Sequence, residues 1–122
     1  MGTTADELVG RFFREMQSGA TAEHEMMALF AEDAVYIEPF SGRVRTHRGK
    51  PAIRAAMSEG WRNPLPDMRI VVEQVDVFGD TVRARWTCHS PALPGGKGCG
   101  ENEFTLRDGL IVRLETRFLP AA

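Results

Sequence analysis

Glu38 closes the stretch VYIEPF (35–40), an acid at the last position of an otherwise apolar run. Val35 and Ile37 fall on one face of a strand and Tyr36 on the other, where Glu38 joins it before Pro39 ends the run. A carboxylate so placed is either a polar strand end in water or a group at the mouth of a pocket. In a dry pocket, desolvation lifts a carboxyl toward the range of a useful general base, while a neighbouring arginine such as Arg85 lowers it. Tyr36 and Asn102 can each donate a hydrogen bond to a carbonyl or enolate oxygen, or can simply satisfy Glu38.

His89 is of a residue type that can serve as a general acid or base, or it is an ordinary strand histidine beside a loop. His24 falls on the wet face of a helix. His47 sits in RVRTHRGK (43–50), read as a solvated basic turn ahead of a helix whose N-terminus could also receive an anion. No grouping of His, Asp or Glu has metal-ligand spacing, and no glycine-rich phosphate loop occurs, so neither metal nor organic cofactor is expected. Cys88 and Cys99 lack CxxC spacing; they read as two free, mostly buried thiols, with a disulfide across a hairpin as the alternative.

With 122 residues and 43% hydrophobic content, the chain suits one domain with a core of its own. A formal net charge of -2 gives no electrostatic support for binding nucleic acid or an acidic membrane. No apolar run approaches the roughly 20 residues needed to span a bilayer, and no signal-peptide pattern is seen, so the cytoplasm is the expected compartment.

The elements that must position these residues follow from periodicity. Thr4-Ala5-Asp6-Glu7 has capping-box spacing before a helix with Leu8, Phe12, Phe13 and Met16 on one side, and Gly19 is its stop. A second helix is expected over 22–30, a strand over 34–39, and a third helix from Pro51 carrying Ile53, Met57 and Trp61. Beyond Asn63-Pro64-Leu65-Pro66-Asp67 the period changes to two. Ile70 and Val72 alternate, then Val75 and Val77, up to Gly79-Asp80. The next strand sorts Val82, Ala84, Trp86 and Cys88 to one face and Arg83, Arg85, Thr87 and His89 to the other. PALPGGKG (91–98) reads as a loop. Strands over 101–107 and 110–119 flank Asp108-Gly109, a strong hairpin signal. The order is α+β, with three helices packed on a largely antiparallel sheet.

Setting Cys88 opposite Cys99 places Arg85 against Asn102, so that Asn102, Phe104 and Leu106 share a face with Arg85, Thr87 and His89. A one-residue slip reverses this assignment. The other face, with Val82, Ala84 and Trp86, is too apolar to be left in water and must meet helices or another subunit.

LFAEDAVYIEPFSG (29–42), RGKPAIRAAM (48–57) and the Gly-Asp hairpin strands resemble the nuclear-transport-factor-2-like superfamily, nearest to its SnoaL-like polyketide cyclases and ketosteroid isomerases. The resemblance covers nearly the whole chain. It implies a curved sheet wrapped against three helices around an apolar cavity, with a homodimer through the back of the sheet. It sends Arg85, Thr87 and His89 inward and Val82, Ala84, Trp86 and Cys88 to the back, and turns Leu114, Thr116 and Phe118 inward on the last strand.

The isomerase pattern places its general base at Glu38 and its protonated, donating acid at Asn102. Phe12 stands where those isomerases carry the oxyanion tyrosine, and ETRFLPAA (115–122) lacks the aspartate that SnoaL-like cyclases often carry there. The resemblance therefore implies a small apolar ligand, with Phe12, Met16, Met57, Trp61, Arg85, Thr87, Phe104 and Phe118 as its contacts. Glu38 would move a proton, Asn102 and Tyr36 would steady an oxyanion, and His89 would tune the site in a cofactor-free isomerisation or cyclisation. The alternative is a non-catalytic ligand-binding or dimer-forming module of the same fold.

Overall fold

A computed structural model describes residues 4–120 of the chain. Helix α1 (Ala5–Ser18) starts where Thr4 Oγ1 accepts the Glu7 N–H at 3.2 Å and stops at Gly19, whose φ of 69° suits glycine. One 3-10 turn (Gly19–Ala22) leads into α2 (Glu23–Met27), shorter than the helix expected over 22–30. The sheet claims the chain early: Leu29 C=O accepts the Ile111 N–H, and β1 (Phe30–Glu38) has already begun at Phe30.

The segment read as a basic turn is in part a strand. β2 (Arg45–Arg48) pairs antiparallel with β1, and Gly49 (φ 86°) then turns the chain into α3 (Lys50–Arg62), with Pro51 in its first turn. Strands β3 (Arg69–Phe78), β4 (Thr81–His89), β5 (Lys97–Arg107) and β6 (Leu110–Leu119) complete a six-stranded sheet ordered β2-β1-β6-β5-β4-β3. The sheet is curved, unclosed and mixed, because β1 lies parallel to β6 while every other pair is antiparallel. Register shifts between Val72 and Gln74 in β3, and this bulge keeps Ile70, Val72, Val75 and Val77 on one face despite their broken alternation.

The register drawn from the cysteines is wrong by one residue. Thr87, not Cys88, stands opposite Cys99, and Ala84 stands opposite Asn102. Since neighbouring side chains alternate, this slip reverses the faces of β4. Val82, Ala84, Trp86 and Cys88 are buried in the core beneath the helices, so they offer no dimer surface, and the two cysteines are free thiols. Arg85, Thr87 and His89 lie on the opposite, outer face and not in the cavity. Charge pairing explains the true register: it sets Arg83 opposite Glu103 and Arg85 opposite Glu101. Arg113, Glu115 and Arg117 on β6 extend this into a lattice of ion pairs, which makes the back of the sheet charged where an apolar face was expected.

The core lies between the concave face and the helices. Phe12 packs edge-on against Phe13, Phe30 and Phe104, over Val82, Ile111 and Leu114. No helix among the described residues is long and apolar enough to cross a membrane.

Candidate functional site

Glu38 ends β1 because Pro39 has no N–H for the ladder and the next N–H folds back. Phe40 N–H donates to Glu38 Oε1 at 2.8 Å. In the β1–β2 hairpin, Glu38 faces Arg45 and Tyr36 faces His47, which brings all four side chains to one face. Arg45 Nε donates to Glu38 Oε2 at 2.8 Å, and His47 Nε2 lies 2.8 Å from the same oxygen. Arg45 Nη2 reaches on to Glu59 Oε2 of α3 at 3.0 Å. The Glu38–Arg85 pair weighed from the sequence does not form, since Arg85 is on the far side of the sheet and pairs with Glu101.

Glu38 is only 2% exposed. Burial pushes its carboxyl up, but hydrogen bonds from His47, from the Phe40 N–H and from Arg45 outweigh it and hold Glu38 below the ordinary carboxylate range. The group is a fixed anion. Tyr36 is the converse: burial, then the charge of Glu38, raise its phenol far above the ordinary value, against a hydrogen bond with Thr116 and the charge of Arg45. Tyr36 stays a protonated donor.

Two hollows adjoin this hairpin. The outer chamber, of about 620 Å³, is lined by Glu38, Arg45 and Tyr36, by the last turns of α1 and α3, and by Met57, Trp61 and Leu65. The inner recess, of about 130 Å³, lies between Phe12, Phe13, Trp86, Cys88 and Phe118, with Asn102 and Thr116 in its wall. Met16, Tyr36, Phe40, Leu65 and Ile70 border both.

Asn102 is oriented by its neighbours. Trp86 Nε1, which can only donate, gives its proton to Asn102 Oδ1 at 3.0 Å, and Thr116 Oγ1 donates to the same oxygen at 2.9 Å. The Asn102 amide NH2 makes no hydrogen bond to the described residues and belongs to a side chain in the recess wall. Gly100 makes this possible, for a Cβ there would collide with the Trp86 indole facing it across β4 and β5.

Of the residues singled out in the sequence, Glu38, Tyr36, Asn102, Phe12, Met16, Met57, Trp61 and Phe118 border the two hollows. Phe104 does not; it is sealed in the core under Phe12. Arg85, Thr87 and His89 are excluded by the register. Sequence reasoning missed Arg45, His47 and Glu59. Their signal was faint: Arg45 and His47 are two apart, as inward residues of a short strand folding back on Glu38 must be.

Solved structures share this architecture. An NTF2-like protein of unknown function from Cytophaga hutchinsonii superposes with a TM-score of 0.73 at 16% identity, covering 98% of this chain and 94% of its own. A candidate ketosteroid isomerase from Kribbella flavida gives 0.73 at 18% identity, over 94% and 77%. A candidate polyketide cyclase from Sinorhizobium meliloti gives 0.72 at 23% identity, over 90% and 93%. No curated protein matches the sequence. Residues 9–114 match the SnoaL-like domain, and with its helices and mixed sheet arranged as an NTF2-like cone the chain belongs to the SnoaL-like family.

Proposed function

We propose that the chain binds a small, largely apolar molecule carrying a carbonyl-type oxygen, with the apolar part in the recess and the oxygen on the Asn102 amide NH2. The observation that carries this reading is Asn102, whose acceptor is saturated by Trp86 and Thr116 while its donor is left for another partner. A hydrogen bond from this amide to a ligand oxygen would contribute about 0.5–1.5 kcal/mol. The outer chamber also falls in the range of small-molecule sites, roughly 300–1,000 Å³. Glu38 serves here as an anionic anchor that joins β2 to β1.

The test is titration with a neutral fluorescent naphthyl ketone, 6-propionyl-2-dimethylaminonaphthalene. A saturable blue shift is expected, with Asn102→Asp weakening affinity about tenfold, because that change keeps the acceptor for Trp86 and Thr116 and removes the donor. No saturable shift with the wild-type protein overturns the reading.

A second reading is cofactor-free proton transfer, as in an isomerase or cyclase, and the place of the Glu38 carboxylate in the chamber wall beside Tyr36 favours it. This reading expects hydrogen–deuterium exchange at the carbon next to the bound ketone's carbonyl, lost in Glu38→Gln. Binding without exchange leaves the first reading alone.

A further inference from the structure

We infer that the outer chamber selects by charge, admitting ligands with a protonated nitrogen and disfavouring carboxylates. This rests on the reading that the cavity binds a small molecule. Three independent features of the wall point the same way. The charged side chains lining the chamber are Glu38, Arg45 and Glu59, two carboxylates against one guanidinium. Arg45 is committed to both of them, through Nε to Glu38 and Nη2 to Glu59, so its charge is drawn toward the wall. Glu59, half exposed, keeps Oε1 without a partner among the described residues.

Helix ends supply the second feature. Gln17, Ser18 and Gly19 close the 14-residue α1, and Gly60, Trp61 and Asn63 close the 13-residue α3; all six line the chamber. The C-terminal end of a helix carries partial negative charge, and here two such ends converge on one hollow. Arg62, the basic residue of the last turn of α3, is not in the lining. Aromatic rings are the third feature. Tyr36, Phe40 and Trp61 share the wall, and the faces of such rings attract cations. A carboxylate ligand would meet the opposite of each of these fields.

The experiment uses three probes that share a naphthalene body, 2-(1-naphthyl)ethylamine, 2-(1-naphthyl)ethanol and 1-naphthylacetate, each displacing the fluorescent ketone at pH 7 and low salt. The amine is expected to bind about tenfold tighter than the alcohol, and the carboxylate about tenfold weaker. Raising the salt narrows the spread. Glu59→Gln, a change at a half-exposed residue, lowers the amine-to-alcohol ratio severalfold. If the alcohol displaces the ketone and the amine gains nothing over it, the charge inference fails alone. It fails equally if the carboxylate binds as well as the amine. If neither the ketone nor any of the three probes binds, the binding reading itself fails.

Discussion

Glu38 Oε2 and His47 Nε2 meet at 2.8 Å across the β1–β2 hairpin, on an oxygen that also accepts from Arg45 Nε. The other carboxylate oxygen takes the Phe40 N–H. Every strong interaction of this buried group therefore favours its charged form, and the hairpin is pinned by an anion. A carboxylate so committed is a weak proton acceptor and a strong organiser, which is why binding is the better reading of this site than catalysis by Glu38 itself.

The consequence for stability has a definite sign. The folded-state pKa of Glu38 is lowered from 4.5, so its stabilising contribution is fully present above the unfolded value and is lost as pH falls through the lower folded value. Urea unfolding between pH 7 and pH 3 should show stability falling below about pH 4.5. Glu38→Gln should reduce stability at pH 7 by about 1–3 kcal/mol and flatten that acid limb. Some slope persists, because Glu115 is also held low: burial raises it, but Arg113 and Arg117 prevail. An acid limb unchanged by Glu38→Gln would show that the carboxylate is not the anchor described.

Trp86 occupies the space above Gly100. Gly100→Ala should therefore force the indole out of place, costing about 1–3 kcal/mol and loosening its hydrogen bond to Asn102. Trp86→Phe in the same background should recover part of the loss, since the smaller ring clears the new methyl. Denaturation midpoints for the four proteins of this double-mutant cycle decide the matter, and purely additive effects would contradict the contact.

The fold was legible because its signals are local. The Thr4 cap, the Gly19 stop, Pro51 at a helix start and the positive φ values of Asp108 and Gly109 each act within a few residues. Register was not, because pairing across the 90–96 connection depends on its geometry. Gly95 and Gly96 both take positive φ there and bring Lys97 directly opposite His89. Two cysteines are a poor guide to register when they are thiols. The pattern Arg83-Ala84-Arg85 against Glu101-Asn102-Glu103 was the better one, since only one alignment sets both arginines on glutamates. Glu38 was readable as a strand-end acid, but its partners were hidden in a four-residue strand too short to show a period.

Trp61 and Trp86 differ in one respect that a paired substitution exposes. Trp61 Nε1 is buried without a hydrogen-bond partner among the described residues, while Trp86 Nε1 donates to Asn102. Trp61→Phe loses apolar area but no hydrogen bond, and relieves an unsatisfied donor, so its net effect should stay within about 1 kcal/mol. Trp86→Phe removes a buried bond and leaves room beside Gly100, and should cost about 2 kcal/mol or more. Equal losses in urea midpoint would mean that Trp61 has a partner in solution.

Phe118 and Phe40 meet edge to face with centroids 5.4 Å apart, each more than half exposed, and both border the inner recess. Exposed rings contribute little to the core, so Phe118→Ala should alter stability by less than about 1 kcal/mol. As the apolar wall nearest to water, the same ring should matter to a ligand in the recess. Affinity for the naphthyl ketone is expected to fall about fivefold to tenfold, through faster dissociation more than slower association. A variant that loses stability but keeps its affinity would put Phe118 in the fold and not in the binding wall, and would move the ligand to the outer chamber alone.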